Sequence, residues 1–315
     1  MKYINELQEG SRVNNIYLCK HKQSAVTKNG KTYENVILQD KTGTIDAKIW
    51  DPNSQGIDEF DVLDYIEVMG DVTSFAGALQ ISLKRVRKAD AGEYDPADYL
   101  PVSANSADDM YQRLTAYIGS IANPWLAALL KQLFIEDQDF AKTFSEQTAA
   151  KTVHHSFMGG LLEHTLSVAS MCEYFSRTYP IINRDLLLTA ALCHDIGKTR
   201  ELSPLPLNDY TEDGQLLGHI VIGTEMLHDI IRTIDGFPRL LEQELKHCIL
   251  AHHGELAYGS PKKPALVEAV ALNLADNADA RMQTLTEIFA NASPQKDWLG
   301  YNRLFESNLR RTEES

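Results

Sequence analysis

Histidines and aspartates recur inside apolar, helix-like stretches in the C-terminal half of this chain. The stretches are LLEHT, LCHDIGK, LGHIV, LAHHG and LADNAD, and their polar residues are His164, His194, Asp195, His219, His252, His253 and Asp276. A buried imidazole or carboxylate needs a polar partner. If seven such groups converge, shared metal ions are the simplest way to give each of them a partner. The pattern therefore predicts a helical bundle with an internal metal site.

Apolar residues follow helical spacing from about residue 150 onward. The predicted helices cover residues 161–175, 186–194, 219–231, 240–252 and 265–289. Gly197 follows the His194-Asp195 pair, and we expect this glycine to end the helix that carries the pair.

The N-terminal third instead alternates apolar and polar residues, as half-buried strands do. Predicted strands cover residues 13–18, 33–38, 44–50, 65–73 and 79–86. Turn signals at Lys28-Asn29-Gly30, Asp40-Lys41-Thr42-Gly43 and Ala76-Gly77 separate them. Five strands fit an OB-fold. The segment DKTGTIDAKIWD resembles the hairpin of strands 2 and 3 in nucleic-acid-binding OB domains.

OB barrels bind single strands by stacking bases on aromatic side chains, while cations follow the backbone. The candidates here are Tyr33, Trp50, Phe75, Lys48, Lys84, Arg85, Arg87 and Lys88. Trp50 could instead belong to the core, and the basic run KRVRK could be a solvated strand end. OB folds also bind sugars and proteins, so the fold alone does not identify a ligand.

These patterns predict a multidomain α+β chain. A five-stranded OB β-barrel occupies residues 1–90, and a linker with bridging helices covers residues 91–150. An all-α domain covers residues 151–315. The bridging segment shows helical spacing over residues 108–133 with a restart at Pro124, a residue that suits a first helical turn. Apolar surface on these helices could support a homo-oligomer.

The net charge of −14 is unevenly distributed. Residues 1–90 contain 12 Lys/Arg and 13 Asp/Glu, whereas the remaining 225 residues contain 18 and 31. A chain this acidic cannot hold duplex nucleic acid through a broad basic surface. A polyanion must be bound locally, by a basic groove or by bound cations.

The sequence also bears on the cellular compartment. No apolar run approaches the roughly 18–20 residues needed to span a bilayer, and no signal peptide precedes MKYINELQEG. The four cysteines are dispersed without a CxxC pair, which favours reduced, buried thiols. We therefore expect a soluble, cytoplasmic protein with no membrane partner.

The order H…HD…D resembles the signature of the HD superfamily of metal-dependent phosphohydrolases. Here it falls on His164, His194-Asp195 and Asp276. The resemblance implies that these four residues hold one metal ion. Asp279 lies one helical turn beyond Asp276 and could replace it.

Further histidines match the pattern of HD enzymes that bind two metals. The resemblance implies a second ion held by Asp195, His219, His252 and His253, with the Asp195 carboxylate bridging the pair. Imidazole and oxygen ligands suit Mn, Fe, Co or Ni, and with less preference Mg or Zn. We expect two divalent ions, with Mn favoured.

Two metal ions can stabilise both ends of an in-line attack on phosphorus. Asp195 and Lys198 are accordingly the catalytic candidates, Lys198 as a cation that neutralises a phosphate oxygen. His154, His155 and Arg281 are candidates for contact with the substrate. Lys198 could instead be an exposed lysine that follows a helix end.

The domain order leads to a narrower resemblance. An OB barrel, a helical linker and an HD domain with HHSFMGGLLEHT, LCHDIGK, HHGELAYGSPKKP and LADNADARM resemble the YhaM family of 3′→5′ exoribonucleases, over about residues 12–290. This resemblance implies removal of nucleoside monophosphates from the 3′ end of single-stranded RNA, with Mn as the favoured metal. Single-stranded DNA is a candidate second substrate.

Three alternatives remain open. A cyclic-dinucleotide phosphodiesterase would use a similar ligand set, but its Gly-Tyr-Pro motif after the paired histidines is absent, and Tyr258-Gly259-Ser260-Pro261 stands there instead. A phosphohydrolase for free nucleotides would have little use for the barrel. A non-catalytic adaptor that binds single strands would not need the complete ligand set.

Overall fold

A computed structural model of the protein describes residues 2–27, 30–75, 77–100, 102–103, 105–151, 155, 157–292 and 297–312. The chain forms two compact units. The first comprises Met1–Val102 with Leu205–Leu207, and the second comprises Ser103–Pro204 with Asn208–Ser315. Among the described residues, no helix is both long and apolar enough to cross a membrane.

The first unit is a closed five-stranded β-barrel. Its strands are β1 (Arg12–Val26), β2 (Thr32–Asp40), β3 (Gly43–Ile49), β4 (Tyr65–Phe75) and β5 (Ala78–Lys88). Their order around the barrel is β1-β2-β3-β5-β4. The β3–β5 pair is parallel, and the other pairs, including β1–β4, are antiparallel. The five predicted strands and their OB-type barrel are thus confirmed.

Alternation along the strands divides the barrel into an apolar interior and a polar exterior. In β3, Ile45, Ala47 and Ile49 are buried, whereas Asp46 and Lys48 between them face outward. The predicted turn residues Lys28, Asn29 and Ala76 lie outside the described residues.

The second unit is mostly helical. Its helices are α1 (Ala107–Gly119), α2 (Pro124–Lys131), α3 (Gln138–Glu146), α4 (Gly160–Thr178), α5 (Arg184–Cys193), α6 (Lys198–Glu201), α7 (Glu212–Leu216), α8 (Gly218–Ile231), α9 (Arg239–Ala251) and α10 (Val267–Asn291). Polar side chains satisfy the free N–H groups where several helices begin. Ser106 caps α1, and Asn123 and Asn183 do the same for α2 and α5.

Long apolar stripes on these helices form one core. Helix α4 packs against α5 and α10, and α9 contacts both α5 and α10. The buried residues include Leu161, Leu187, Leu192, Leu245 and Leu272. Each polar residue of the predicted site therefore lies on, or directly after, a helix that is held in place by apolar packing.

Two local features differ from the expectations. Gly197 has a φ of −62°, so it is not a left-handed helix terminus. A Cβ there would lie 2.0 Å from the carbonyl oxygen of His219, so the missing side chain instead permits close approach of α8. Secondly, a hairpin of β6 (Trp298–Asn302) and β7 (Ser307–Arg310) follows α10. Its short strands lack the apolar alternation that would predict them.

Candidate metal centre

Four side chains from three regions of the helical unit converge on one point. His164 Nε2, from α4, lies 3.2 Å from His194 Nε2 at the end of α5. It also lies 3.2 Å from Asp276 Oδ1, on α10. Asp195 Oδ2 is 3.3 Å from His194 Nε2 and 3.5 Å from His164 Nε2. We call His164, His194, Asp195 and Asp276 the first group.

Three further histidines lie on the other side of Asp195. Asp195 Oδ1 is 3.5 Å from His219 Nε2 and 3.8 Å from His252 Nε2. The potential ligand atoms of His219, His252 and His253 all lie within 4.8 Å of one another. We call these histidines together with Asp195 the second group. The two oxygens of one carboxylate thus face two separate sets of imidazoles.

Unpartnered buried atoms support a cation at the second group. Within the described part of the chain, Asp195 Oδ1, His219 Nε2 and His252 Nε2 are buried without a hydrogen-bond partner. Leaving three polar atoms unpaired would be costly. A divalent cation would satisfy all three, and oxygen and imidazole nitrogen atoms are the donors such ions accept. The residues present therefore fit metal ions.

Hydrogen bonds at the far side of each ring orient the imidazoles. His194 and His252 each donate from Nδ1 to the backbone carbonyl three residues earlier, Ala191 at 2.8 Å and Ile249 at 2.7 Å. His253 Nδ1 donates to the carbonyl of Tyr258 at 2.8 Å. A ring that donates from Nδ1 keeps the lone pair on Nε2 available for a metal. Because α9 ends at Ala251, the paired histidines follow its last turn, and both reach the centre.

Two carboxylates orient the remaining imidazoles. Asp279 Oδ2 lies 2.7 Å from His164 Nδ1 and 3.0 Å from His155 Nε2. Glu201 Oε1 accepts from His219 Nδ1 at 2.9 Å and from the backbone N–H of His219 at 2.9 Å. Asp279 thus contacts the nitrogen of His164 that faces away from Asp276.

Lys198 is largely shielded from solvent beside the carboxylate shared by the two groups. Its Nζ lies 2.7 Å from Asp195 Oδ2. Burial alone would raise the pKa of Asp195, but the charges of Lys198 and His194 outweigh it and hold that pKa well below its usual value. Burial likewise opposes the charged lysine, yet Asp195 outweighs it and raises the pKa of Lys198. A fixed positive charge therefore lies at the centre.

The imidazoles differ in their affinity for protons. Burial lowers the pKa of His252 and of His253, and neighbouring imidazoles lower both further. Burial would also lower the pKa of His164, but its hydrogen bonds to Asp276 and Asp279 outweigh this and raise the pKa to about 9. In the metal-free protein His164 is therefore protonated at neutral pH.

We expect metal affinity to rise with pH for this reason. A metal that binds His164 must displace its proton, so affinity should increase up to about tenfold per pH unit from pH 7 until the pKa near 9 is passed. Calorimetric titration of the metal-free protein with Co²⁺ at pH 6.5, 7.5 and 8.5, in buffers of different ionisation enthalpy, would measure affinity and proton release together. Equal affinity and no proton release across this range would contradict the expectation.

Changing the orienting carboxylates should weaken metal binding at one group each. Asp279→Asn and Glu201→Gln keep the side-chain shape but remove the charge that orients His164 or His219. Loss of such an outer hydrogen bond costs about 10- to 100-fold in metal affinity. Titration should show one weakened ion in each variant. Asp213→Asn, in an exposed pair with Arg200, is the matched control and should bind metal as the wild type does.

The sequence did not indicate the role of Glu201, which lies six residues after Asp195 in a short polar helix. The fact that Glu201 is a buried acid can be recognised only once α6 packs against α8. Asp279 carried a signal, namely its position one turn from Asp276 on one face of α10. Its position relative to the ring nitrogens of His164 had no counterpart in the sequence.

Aromatic side chains gather on the outer face of the barrel. Tyr33 and Trp50 are stacked, with ring centroids 5.2 Å apart. Trp50 is 51% exposed and Phe75 is 72% exposed, so neither belongs to the core. Together with Lys48, these aromatic residues line a groove of about 390 Å³. We call it the aromatic groove.

The other basic candidates of the barrel lie outside this groove. Lys84 pairs with Asp71, and Lys88 pairs with Asp64. Arg87 bonds to both Glu67 and Glu93. Arg85 is exposed and packs beside Gly56. Their exposed surface remains compatible with contact to a phosphate backbone, but acidic neighbours partly balance three of these charges.

The remaining substrate candidates are placed differently. His155 is buried and bonded to Asp279, so it belongs to the interior beside the first group. Arg281 is exposed, and its guanidinium lies 5.6 Å from the ring centroid of Phe305. His154 lies outside the described residues.

Two solved structures of OB-fold proteins are similar to part of this chain. The barrel is similar to the solution NMR structure of the second OB-fold domain of replication protein A from Methanococcus maripaludis. The two are 22% identical, the match covers 29% of this chain and 96% of that one, and the TM-score is 0.23. A replication protein A heterotrimer bound to single-stranded DNA is 18% identical, over 28% of this chain and 63% of that one, with a TM-score of 0.22.

The model of the HD domain family matches residues 161–281. This span runs from the start of α4 into α10 and includes every residue of the first and second groups. The second unit therefore contains an HD domain, a domain of the metal-dependent phosphohydrolase superfamily.

Proposed function

We propose that this protein is a metal-dependent 3′→5′ exonuclease that hydrolyses single-stranded RNA to nucleoside monophosphates. The observation that carries the proposal is the Asp195 carboxylate, whose two oxygens face separate sets of imidazoles. Imidazole and carboxylate ligands in this arrangement suit a pair of divalent ions such as Mn, Fe, Co or Ni. We propose the seven predicted residues of the two groups as the ligands, and Asp276 rather than Asp279 as the carboxylate on α10.

The side chains of the centre have separate tasks in this proposal. When bound, two divalent ions supply a nucleophile at neutral pH and stabilise the charge on the attacked phosphate. Asp195 links the first group to the second group, because one of its carboxylate oxygens faces each group. Lys198, held at 2.7 Å from Asp195, provides a positive charge for a phosphate oxygen. Asp279 and Glu201 fix the orientation of two imidazoles.

The aromatic groove supports a single-stranded substrate. A base of any identity can stack on an aromatic ring, and a neighbouring lysine can contact the phosphate backbone of the strand. Tyr33, Trp50, Phe75 and Lys48 provide both features on one face of the barrel. The 3′→5′ direction and the preference for RNA rest on the resemblance to the YhaM family, as does Mn. Single-stranded DNA is proposed as a second substrate.

A time course with labelled oligonucleotides tests the proposal. A 5′-labelled single-stranded RNA incubated with Mn²⁺ should shorten progressively from its 3′ end, and a 3′-labelled RNA should release labelled mononucleotide from the first time point. Parallel reactions with single-stranded DNA, a cyclic dinucleotide and free nucleotides define the substrate class. Intact RNA beside a cleaved cyclic dinucleotide or nucleotide would overturn the nuclease assignment. Binding of RNA without hydrolysis of any substrate would indicate an adaptor.

A further inference from the structure

A second groove adjoins the metal centre on the helical unit. It has a volume of about 310 Å³, at the lower end of the roughly 300–1,000 Å³ of small-molecule sites. One wall is the segment from His253 to Pro264, and the other is one face of α10. His253, a member of the second group, lines it directly. Whatever binds here lies next to the proposed reaction centre.

The wall on α10 combines apolar and amide side chains. Val270, Asn273, Leu274 and Asn277 follow one another at helical spacing and share one face. Val270 and Leu274 are exposed, although both are apolar. Asn277 is also exposed. Such a surface offers an apolar contact for a flat ring and an amide for the ring's polar edge.

The opposite wall presents a tyrosine and a lysine. The Tyr258 side chain is 68% exposed, while its carbonyl accepts the Nδ1–H of His253. The backbone at Tyr258 is therefore tied to a candidate metal ligand. Lys263 pairs with Glu255 at 2.7 Å, and its side chain remains 60% exposed. It provides a cation within a strongly acidic part of the chain.

Contacts at both ends hold this segment against the helices. Asn273 donates to the carbonyl of His252 at 2.8 Å, and the N–H of Ala265 donates to His247 Nε2 at 2.8 Å. Gly254 has a φ of +79°, and a Cβ there would lie 2.6 Å from the Asn273 amide. A side chain at residue 254 would thus collide with the Asn273 amide that bonds to the carbonyl of His252. These contacts fix the segment that forms one wall of the groove.

We propose that this groove binds the terminal nucleotide of the substrate, a refinement that rests on the proposed nuclease function. Tyr258 and the apolar face of α10 contact the nucleobase, and Asn277 meets its polar edge. The 5′ phosphate of this nucleotide, which is the scissile one, lies at the centre beside His253, and Lys263 contacts the next phosphate along the strand. The groove then selects nucleotides over other phosphate esters.

Equilibrium binding tests the groove without any turnover. The probes are AMP and ribose 5-phosphate, which share the phosphate and the sugar but differ in the base. The full chain loaded with Mn²⁺ should bind AMP at least about tenfold more tightly, the contribution of one stacked base. Tyr258→Ala should remove this preference and Tyr258→Phe should keep it. Tyr174→Ala, at an exposed tyrosine on α4, is the control and should leave the preference unchanged.

The outcomes separate this inference from the proposed function. Equal binding of AMP and ribose 5-phosphate, or a preference for AMP that survives in Tyr258→Ala, would overturn the nucleotide groove even if RNA is degraded. A preference that depends on Tyr258 in a protein that leaves RNA intact would support the groove and reject the exonuclease. In an active enzyme, Tyr258→Ala should mainly raise KM for a dinucleotide, because the base contact is made before the reaction begins.

Discussion

Asp195→Asn is expected to lower kcat for phosphodiester hydrolysis by at least about 1,000-fold. The residue is the shared member of both groups, with Oδ2 facing His164 and His194 and Oδ1 facing His219 and His252. The amide that replaces it has one oxygen and no charge, so it cannot serve both sides. Loss of several kcal/mol of charge stabilisation at the reacting phosphate corresponds to this rate change.

The measurement is steady-state hydrolysis of labelled single-stranded RNA at saturating substrate with Mn²⁺, with circular dichroism to confirm that the variant is folded. Asp213→Asn removes one carboxylate from the exposed pair with Arg200 and serves as the matched control. It should retain wild-type activity. A folded Asp195→Asn variant that keeps more than about one tenth of wild-type kcat would show that the centre is not where hydrolysis occurs.

Removing two rings of the aromatic groove should weaken binding of single-stranded RNA by at least about 30-fold. Each base stacked on an aromatic ring contributes about 1–3 kcal/mol. Trp50 and Phe75 are both well exposed in the groove, so the double variant Trp50→Ala/Phe75→Ala removes two such platforms without opening a cavity in the barrel core. Fluorescence anisotropy with a labelled oligonucleotide measures the effect.

A matched double variant outside the groove controls for loss of exposed apolar surface. Val62→Ala/Met69→Ala removes two exposed apolar side chains of the same unit that do not line the groove. Its affinity for RNA should equal that of the wild type. Equal weakening in both double variants, or none in either, would contradict a role of the aromatic groove in binding.

Secondary structure could be predicted well because both periodicities in this chain are strong. Helices with apolar stripes and strands with alternating burial follow from local sequence, and all five barrel strands lie where the alternation indicates. The hairpin at residues 298–310 was missed because its strands are short and mostly exposed. Its position depends on contacts such as those of Arg311 with the carbonyls of Phe289 in α10 and Ala292 just after it, which no local pattern encodes.

The sequence predicted which side chains converge, but it did not predict how they are oriented. The apolar contexts of the histidines and aspartates indicated that these groups meet, and the structure brings all seven together. The sequence could not show which ring nitrogen faces inward. This depends on hydrogen-bond partners such as the backbone carbonyl of Ala191 and the carboxylate of Glu201, which are identified only in the folded structure. For the same reason it left Asp276 and Asp279 as alternatives.

The sequence correctly indicated that Gly197 has a structural role, but the role expected for it was wrong. A glycine after an apolar helix commonly marks a left-handed terminus. Here the backbone stays right-handed, and the glycine allows the carbonyl of His219 to approach. Only tertiary packing distinguishes these two uses of glycine.

Anomalous diffraction from crystals of the protein grown with Mn²⁺ tests the two-ion centre most directly. We expect two peaks, one within the first group and one within the second, each within coordination distance of a different oxygen of Asp195. The same measurement on Asp195→Asn should show weakened or missing peaks. A single peak in the wild type, or two peaks that both lie away from Asp195, would contradict the shared-carboxylate centre on which the proposed hydrolysis depends.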